Sequence, residues 1–370
     1  MKKFFQNTLA FIATIVSGLA LFSSTLMADN LKVALAAEPT SMDPHYQNLT
    51  INNSFATQVF NALVLQDVNQ NLIPGLASSW TPVDENTWEF KLRPGVKFHN
   101  GASFSAEDVV ATMKRAANVP NSPSSFGTFI KGKTFEIIDD LTLHVSTEKP
   151  YPFTPNDMSR VAIIDSAFEN ATTEDFNTGK ATFGTGPFTF SKWMPGDLIE
   201  IKRNDNYWGS AVEWDSITIR PIKDGTTRTA ALISGDVDFI ERVAPADLPN
   251  LEKRDGIKVF RSVSNRLLYL TLHMTDNPIK PYVTDLNDNP IPSPFQDFRM
   301  RKAVSLAINR QAISDRVMDG LSSPAGQFSP KGYIGYSPNL NADPYDPSQA
   351  KTLMAEAGYG DGFKLTIHGP

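Results

Sequence analysis

The sequence holds no cysteine among its 370 residues. That absence excludes disulfides, thiolate metal sites, a cysteine nucleophile and a lipid-modified cysteine at a processing site. An excess of one charge is also missing: 34 Lys and Arg stand against 40 Asp and Glu, a formal charge of -6. No basic cluster interrupts that balance, so nucleic acid is a poor partner. The five histidines, at 45, 99, 144, 273 and 368, are scattered. No GxSxG elbow, HExxH pair or Walker loop occurs. Gly184-Thr185-Gly186 is too short for a dinucleotide loop. These absences imply no catalytic residues, no metal and no cofactor. A hydrolase is disfavoured, and binding becomes the leading class of function.

Long apolar runs are scarce as well. The exception, residues 9–22, follows Met1-Lys2-Lys3 and precedes Leu26-Met27-Ala28. A basic start, an apolar middle and a small final residue read as a secretory signal, 1–28, cleaved after Ala28. Leu26 is larger than the ideal residue at its position. The alternative is a membrane anchor, but a span needs about twenty apolar residues and this run is short. Cleavage would remove Lys2 and Lys3 and no acid, moving the charge from -6 to -8. If the signal is bacterial, the product is free in the periplasm, with no lipobox cysteine to tether it.

What is present is a mixed helix and strand grammar, which argues α/β. In residues 87–93, Trp88, Phe90 and Leu92 alternate with Glu89, Lys91 and Arg93, a half-buried strand. Asn100-Gly101 signals a turn. Ser105 with Asp108 fits a capping box, and Val109, Val110, Met113 and Ala117 give the following helix an apolar face. The dense polar stretch around His99 therefore has structural work to do, and His99 itself reads as structural rather than as a ligand or base. Strands are expected at 198–202, 216–220, 237–240 and 363–367. Helices are expected at 226–233, at 298–308 behind Asp297, from Asn309 to Gly320, and from Pro347 to Gly358 behind Asp346. Residues 276–294 read as a long surface loop. Within it, Asp285-Leu286-Asn287-Asp288-Asn289 has calcium-like spacing but lacks the glycine and the terminal acid, so a solvated loop is favoured.

Four ordered blocks carry a resemblance: LASSWTPVDENTWEFKLRPGVKFHNGASFSAEDVV (76–110), FGTGPFTFSKWMPGDLIEIKRNDNYWG (183–209), PFQDFRMRKAVSLAINRQAISDRVMDG (294–320) and YDPSQAKTLMAEAGYGDGF (345–363). With Asp43-Pro44 they resemble the peptide/nickel-type solute-binding proteins of ABC importers, family 5, across the mature chain. The resemblance implies a two-lobed, type II periplasmic-binding fold with an extra inserted subdomain. It places the lobe I base at 29–58 and 166–268, the insertion at 59–165, and lobe II at 269–370. It also implies a C-terminally truncated lobe II, with most of that lobe's ligand contacts beyond residue 370, so ligand identity is not readable.

Alignment to the oligopeptide-binding branch implies that Asn48, Thr50, Phe126, Glu241, Arg242 and Tyr269 line the cleft. Their chemistry suits a peptide: Arg can hold a carboxylate bidentately, Glu an ammonium, and Tyr offers a flat face with one hydrogen bond. Plain alternatives stand beside these roles. Tyr269 lies in an apolar run and reads equally as core, and Glu241 with Arg242 reads as a surface pair. The resemblance implies a monomeric binding subunit that captures peptides or peptide-like solutes and docks on a permease served by an ATPase. A sensor or chaperone on the same fold is the alternative.

Overall fold

The computed structural model describes residues 29–275 and 283–369. The expected signal segment lies outside them, as does part of the loop expected at 276–294.

The chain opens with strand β1 (Asn30–Leu35) and reaches helix α1 (Thr50–Val59) through a 14-residue loop. It then leaves to build a second core whose buried residues all lie within 63–163, with Trp208 of the returning chain packed against it. There, the hairpin β2 (Val64–Gln66) and β3 (Leu72–Pro74) precedes β4 (Ala77–Pro82) and β5 (Thr87–Leu92). Helix α2 (Ala106–Ala116) follows, then β6 (Lys133–Asp139) and β7 (Thr142–Thr147). The sheet runs β4-β5-β7-β6, antiparallel throughout. β5 is the expected alternating strand: Phe90 and Leu92 are buried while Lys91 is exposed. α2 starts where the capping signal puts it, with Asp108 Oδ2 accepting from the Ser105 backbone N–H at 2.8 Å. The other Asp108 oxygen accepts from Ser166 N–H at 2.8 Å, so the cap residue also ties this unit to the returning chain.

The return supplies β8 (Phe188–Met194), β9 (Leu198–Arg203), β10 (Ser216–Pro221), α3 (Gly225–Ser234) and β11 (Phe239–Ile240). With β1 they form one sheet in the order β11-β1-β10-β9-β8. β1 is parallel to β10 and β11, and the remaining pairs are antiparallel. The strand expected at 237–240 is shorter than its pattern suggests. Asp238 meets Lys32 through its own N–H and its carboxylate, and ladder pairing begins at Phe239.

Two buried polar joints lock the insertion to this base. At the first, Arg115 on α2 donates to both oxygens of Asp43, at 2.9 and 2.8 Å. It also donates to His45 Nδ1 at 2.9 Å and to Ala171 O at 3.1 Å, and it lies 4.5 Å over the Phe176 ring. His45 Nε2 lies 2.7 Å from Ala162 O, which fixes the neutral tautomer: Nε2–H donates and Nδ1 accepts. Burial, helped by the Arg115 charge, lowers the His45 pKa to about 4. Burial alone would raise Asp43, but the Arg115 guanidinium outweighs it and holds the carboxyl below its ordinary range. At the second joint, His99 accepts from Gly184 N–H at 3.2 Å through Nδ1 and meets Gly186 O at 3.0 Å through Nε2. A Cβ on Gly184 would sit 2.0 Å from Val59 O, so only glycine lets this segment lie against the end of α1. Gly184-Thr185-Gly186 is thus a packing device, and His99 is part of it.

The last part holds α4 (Phe298–Ala307), α5 (Arg310–Arg316) and α6 (Pro347–Glu356), with β12 (Val283–Thr284) pairing antiparallel to β13 (Lys364–Leu365). Asp297, Asn309 and Asp346 cap the three helices as their sequences suggest. α5 ends before the expected Gly320. β13 takes Lys364 and Leu365 from the expected 363–367, paired with Thr284 and Val283. The Asp285 loop is a turn built on its own carboxylate. Asp285 Oδ1 accepts from the backbone of Asn287 and Asn289 at 2.8 and 2.9 Å, and Oδ2 from Asn289 Nδ2 at 2.9 Å. Asp67-Val68-Asn69-Gln70-Asn71 repeats this between β2 and β3, with Asp67 accepting from the same three positions. In both, the fourth residue is left-handed: Gln70 at φ 64° and Asp288 at φ 66°. This five-residue correspondence is too short to make the two loops an internal repeat.

Candidate functional site

Three parallel strands of the base sheet end on the same side: β1 in the middle, β10 and β11 flanking it. From β1 the chain passes to α1, which packs on one face through Phe55 and Val59 in the cluster that holds Ile199 and Ile201. From β10 it passes to α3, which packs on the other face, where Ala34, Val237 and Ile240 meet Ala231 and Leu232. The connections therefore leave in opposite directions at the end of β1. Open α/β sheets bind ligands outside the carboxyl ends of their strands at such a point, where loops diverge and leave a crevice.

Glu241 and Arg242 follow β11 directly and stand at this rim. Glu241 Oε1 accepts from the Ala36 N–H at 3.1 Å, joining the exits of β11 and β1. Its second oxygen lies 3.8 Å from Arg242 Nε, a loose contact. The Arg242 side chain is 57% exposed, and its backbone is left-handed at φ 53°. A non-glycine residue in that region is uncommon, and such residues cluster where a side chain must be aimed. The pair offers one carboxylate and one forked cation side by side. That set can hold an ammonium and a carboxylate.

The other four residues fall elsewhere. Asn48 and Thr50 stand at the start of α1. The first turn of that helix is tied to the loop after β1 by Asn52 Nδ2 donating to Thr40 Oγ1 at 3.0 Å. Asn48 also donates its N–H to Ser124 O at 3.1 Å and accepts from Asn53 Nδ2 at 2.9 Å. Phe126 is 1% exposed, in the insertion's core, edge-on to His45 with ring centres 6.1 Å apart. Its burial leaves no face for a solute in this conformation. Tyr269 is not in a core: it is 64% exposed, in an irregular segment, with its ring edge-on to Phe328 at 5.5 Å. The structure thus brings Glu241 and Arg242 together. Among the described residues, no hydrogen bond or ion pair joins Asn48, Thr50 or Tyr269 to them. Sequence reading missed the Ala36 amide, which only the pairing of β1 with β11 reveals.

Residues 71–368 match the family described as bacterial extracellular solute-binding proteins, family 5 middle. The chain belongs to this family. Its members bind solutes and are not enzymes. A glutathione-binding protein, GsiB, of Pectobacterium atrosepticum is 30% identical over 358 residues, covering 96% of this chain and 66% of that protein. The chain thus spans about two thirds of the length of the curated relatives it matches. Among solved structures, NikZ from Campylobacter jejuni in complex with Ni(L-His) superposes with a TM-score of 0.71 at 24% identity. It covers 91% of this chain and 66% of that one. The oligopeptide-binding protein AppA of Bacillus subtilis, in complex with a nonapeptide, gives 0.67 at 24% identity, over 89% of this chain and 64% of that one. The family's two-lobed, type II α/β fold is therefore the fold of this chain.

Proposed function

We propose that the chain is the solute-capturing part of an ABC importer, taking peptides or peptide-like solutes on the rim at Glu241 and Arg242. The observation that carries this is the charged pair at the β1 switch point, in a chain of a solute-binding family. The solute would lie between the lobes, with lobe I at 29–58 and 166–268, the insertion at 59–165 and lobe II from 269. Contacts from both lobes would favour a closed form, by no more than the solute's differential affinity for it. The closed complex would dock on a permease in the inner membrane, as a monomer exported to the periplasm. Asn48, Thr50 and Tyr269 are proposed as further contacts made on closure.

The test is a thermal and calorimetric screen of the mature protein against glutathione, dipeptides and longer peptides. One class should stabilise the protein by about 2.7 kcal/mol at a hundredfold excess over Kd. Arg242→Ala should lower affinity for that class about tenfold or more, through the lost carboxylate contact. Silence toward every solute would overturn the reading.

A further inference from the structure

Arg228 lies on α3 and is 4% exposed. A buried guanidinium usually meets a carboxylate. This one spends four hydrogen bonds on backbone carbonyls. Nη1 donates to Ile222 O at 2.7 Å and to Lys223 O at 2.9 Å. Nε donates to Glu241 O at 3.3 Å, and Nη2 to Arg242 O at 3.1 Å. The first pair of carbonyls follows β10 and the second follows β11. The two loops flank the end of β1, and one planar side chain spans them.

We propose that Arg228 is a positioning residue: it fastens the loop after β11 to the loop after β10 and so holds Arg242 in its left-handed turn, aimed at solute. The inference rests on the solute-site reading of Glu241 and Arg242. The physical argument is local. An arginine at φ 53° is strained relative to extended backbone, and such a conformation persists only where its surroundings over-determine it. The carbonyl of Arg242 is gripped by Arg228, while Glu241 is gripped twice, at its carbonyl by Arg228 and at its carboxylate by Ala36 N–H. With both carbonyls fixed, the turn between them has little freedom. Lysine at 228 would keep the charge but cannot fork to four acceptors. Arg228 does not itself reach solvent, so its effect on a solute passes through the turn.

The test compares the mature wild-type protein with Arg228→Lys and Arg228→Met by two readouts. The first needs no solute. Trypsin must open a segment to cut it, so nicking at Arg242–Val243 and Lys223–Asp224 reports how firmly these loops are held. Mass mapping should show both bonds cut about tenfold faster in Arg228→Met and by an intermediate factor in Arg228→Lys, with other cleavage sites unchanged. Nicking at the wild-type rate in Arg228→Lys, or acceleration spread evenly over all sites, would overturn the proposal. The second readout is calorimetric titration with reduced glutathione. Arg228→Lys should weaken binding about tenfold in the wild-type background and not at all on top of Arg242→Ala. An equal loss in both backgrounds would also overturn it. A wild-type protein silent to glutathione would count against that solute alone, and the nicking rates would still decide the role of Arg228.

Discussion

Replacing Arg115 with methionine is expected to destabilise the base and insertion by about 3 to 5 kcal/mol, measured by urea unfolding at neutral pH. Arg115 meets both oxygens of Asp43, which is 1% exposed. Removing the cation leaves a carboxylate with no charge partner in a dry site. Thr173 Oγ1 still donates to it at 2.9 Å, and the His45 N–H at 3.0 Å, but neither neutralises it. Asp43 must then take up a proton or draw water in, and either disrupts the packing. The loss comes from stranding a charge rather than from the worth of the pair. Asp43→Asn on top of Arg115→Met should therefore recover a large part of it. A double variant as unstable as Arg115→Met would show that packing on Phe176, and not charge, makes this joint.

Acid should weaken the same joint before any carboxylate there titrates. His45 is fully buried, with a pKa held at about 4 against an ordinary 6.5. Between those values the unfolded chain binds a proton that the folded chain refuses. The stabilisation is complete above about pH 6.5 and is lost as pH falls toward 4. The loss comes to about 3 kcal/mol across that window. His99 is also depressed by burial and adds to it in the same direction. Glutamine keeps a donor for Ala162 O and an acceptor for Arg115 without a titrating ring. Unfolding curves at pH 7, 5.5 and 4.5 should thus lose most of their pH dependence in His45→Gln. If the slope persists undiminished in that variant, the proton uptake lies elsewhere.

What could be read from the sequence was local. β5 shows its faces because its period is two, and α2 shows its start because Ser105 and Asp108 stand three apart. The four blocks carried the family, and with it the two lobes. What could not be read depends on partners far along the chain. Lys114 and Arg115 are neighbours of one charge, yet only Arg115 turns inward, to an aspartate 72 residues earlier. Glu241 and Arg242 could be aligned but not distinguished from a surface pair, because the Ala36 contact spans 205 residues. Phe126 illustrates the converse: alignment offered it as a cleft residue, and the packing around His45 buries it. Arg228 carries no sequence signal at all, since backbone carbonyls leave no trace in residue types.

The separation of β1 from its neighbours also bears on how the chain reaches this structure. Asn30 pairs with Ser216 across 186 residues, and Val33 with Phe239 across a longer stretch still. Pairings this distant are slow, because the entropy of closing the loop is lost before any contact is gained. The insertion meets a smaller obstacle: the buried residues of its core all lie within 63–163, and its hairpins join strands close in sequence. Order should therefore spread outward from the insertion. β1 should be seated late, and the switch-point rim beside it should not exist until then. Pulsed labelling of amide hydrogens during refolding would show this as protection in β5 and β7 well ahead of protection in β1. A nascent chain would thus carry its insertion before it carries the rim at the end of β1.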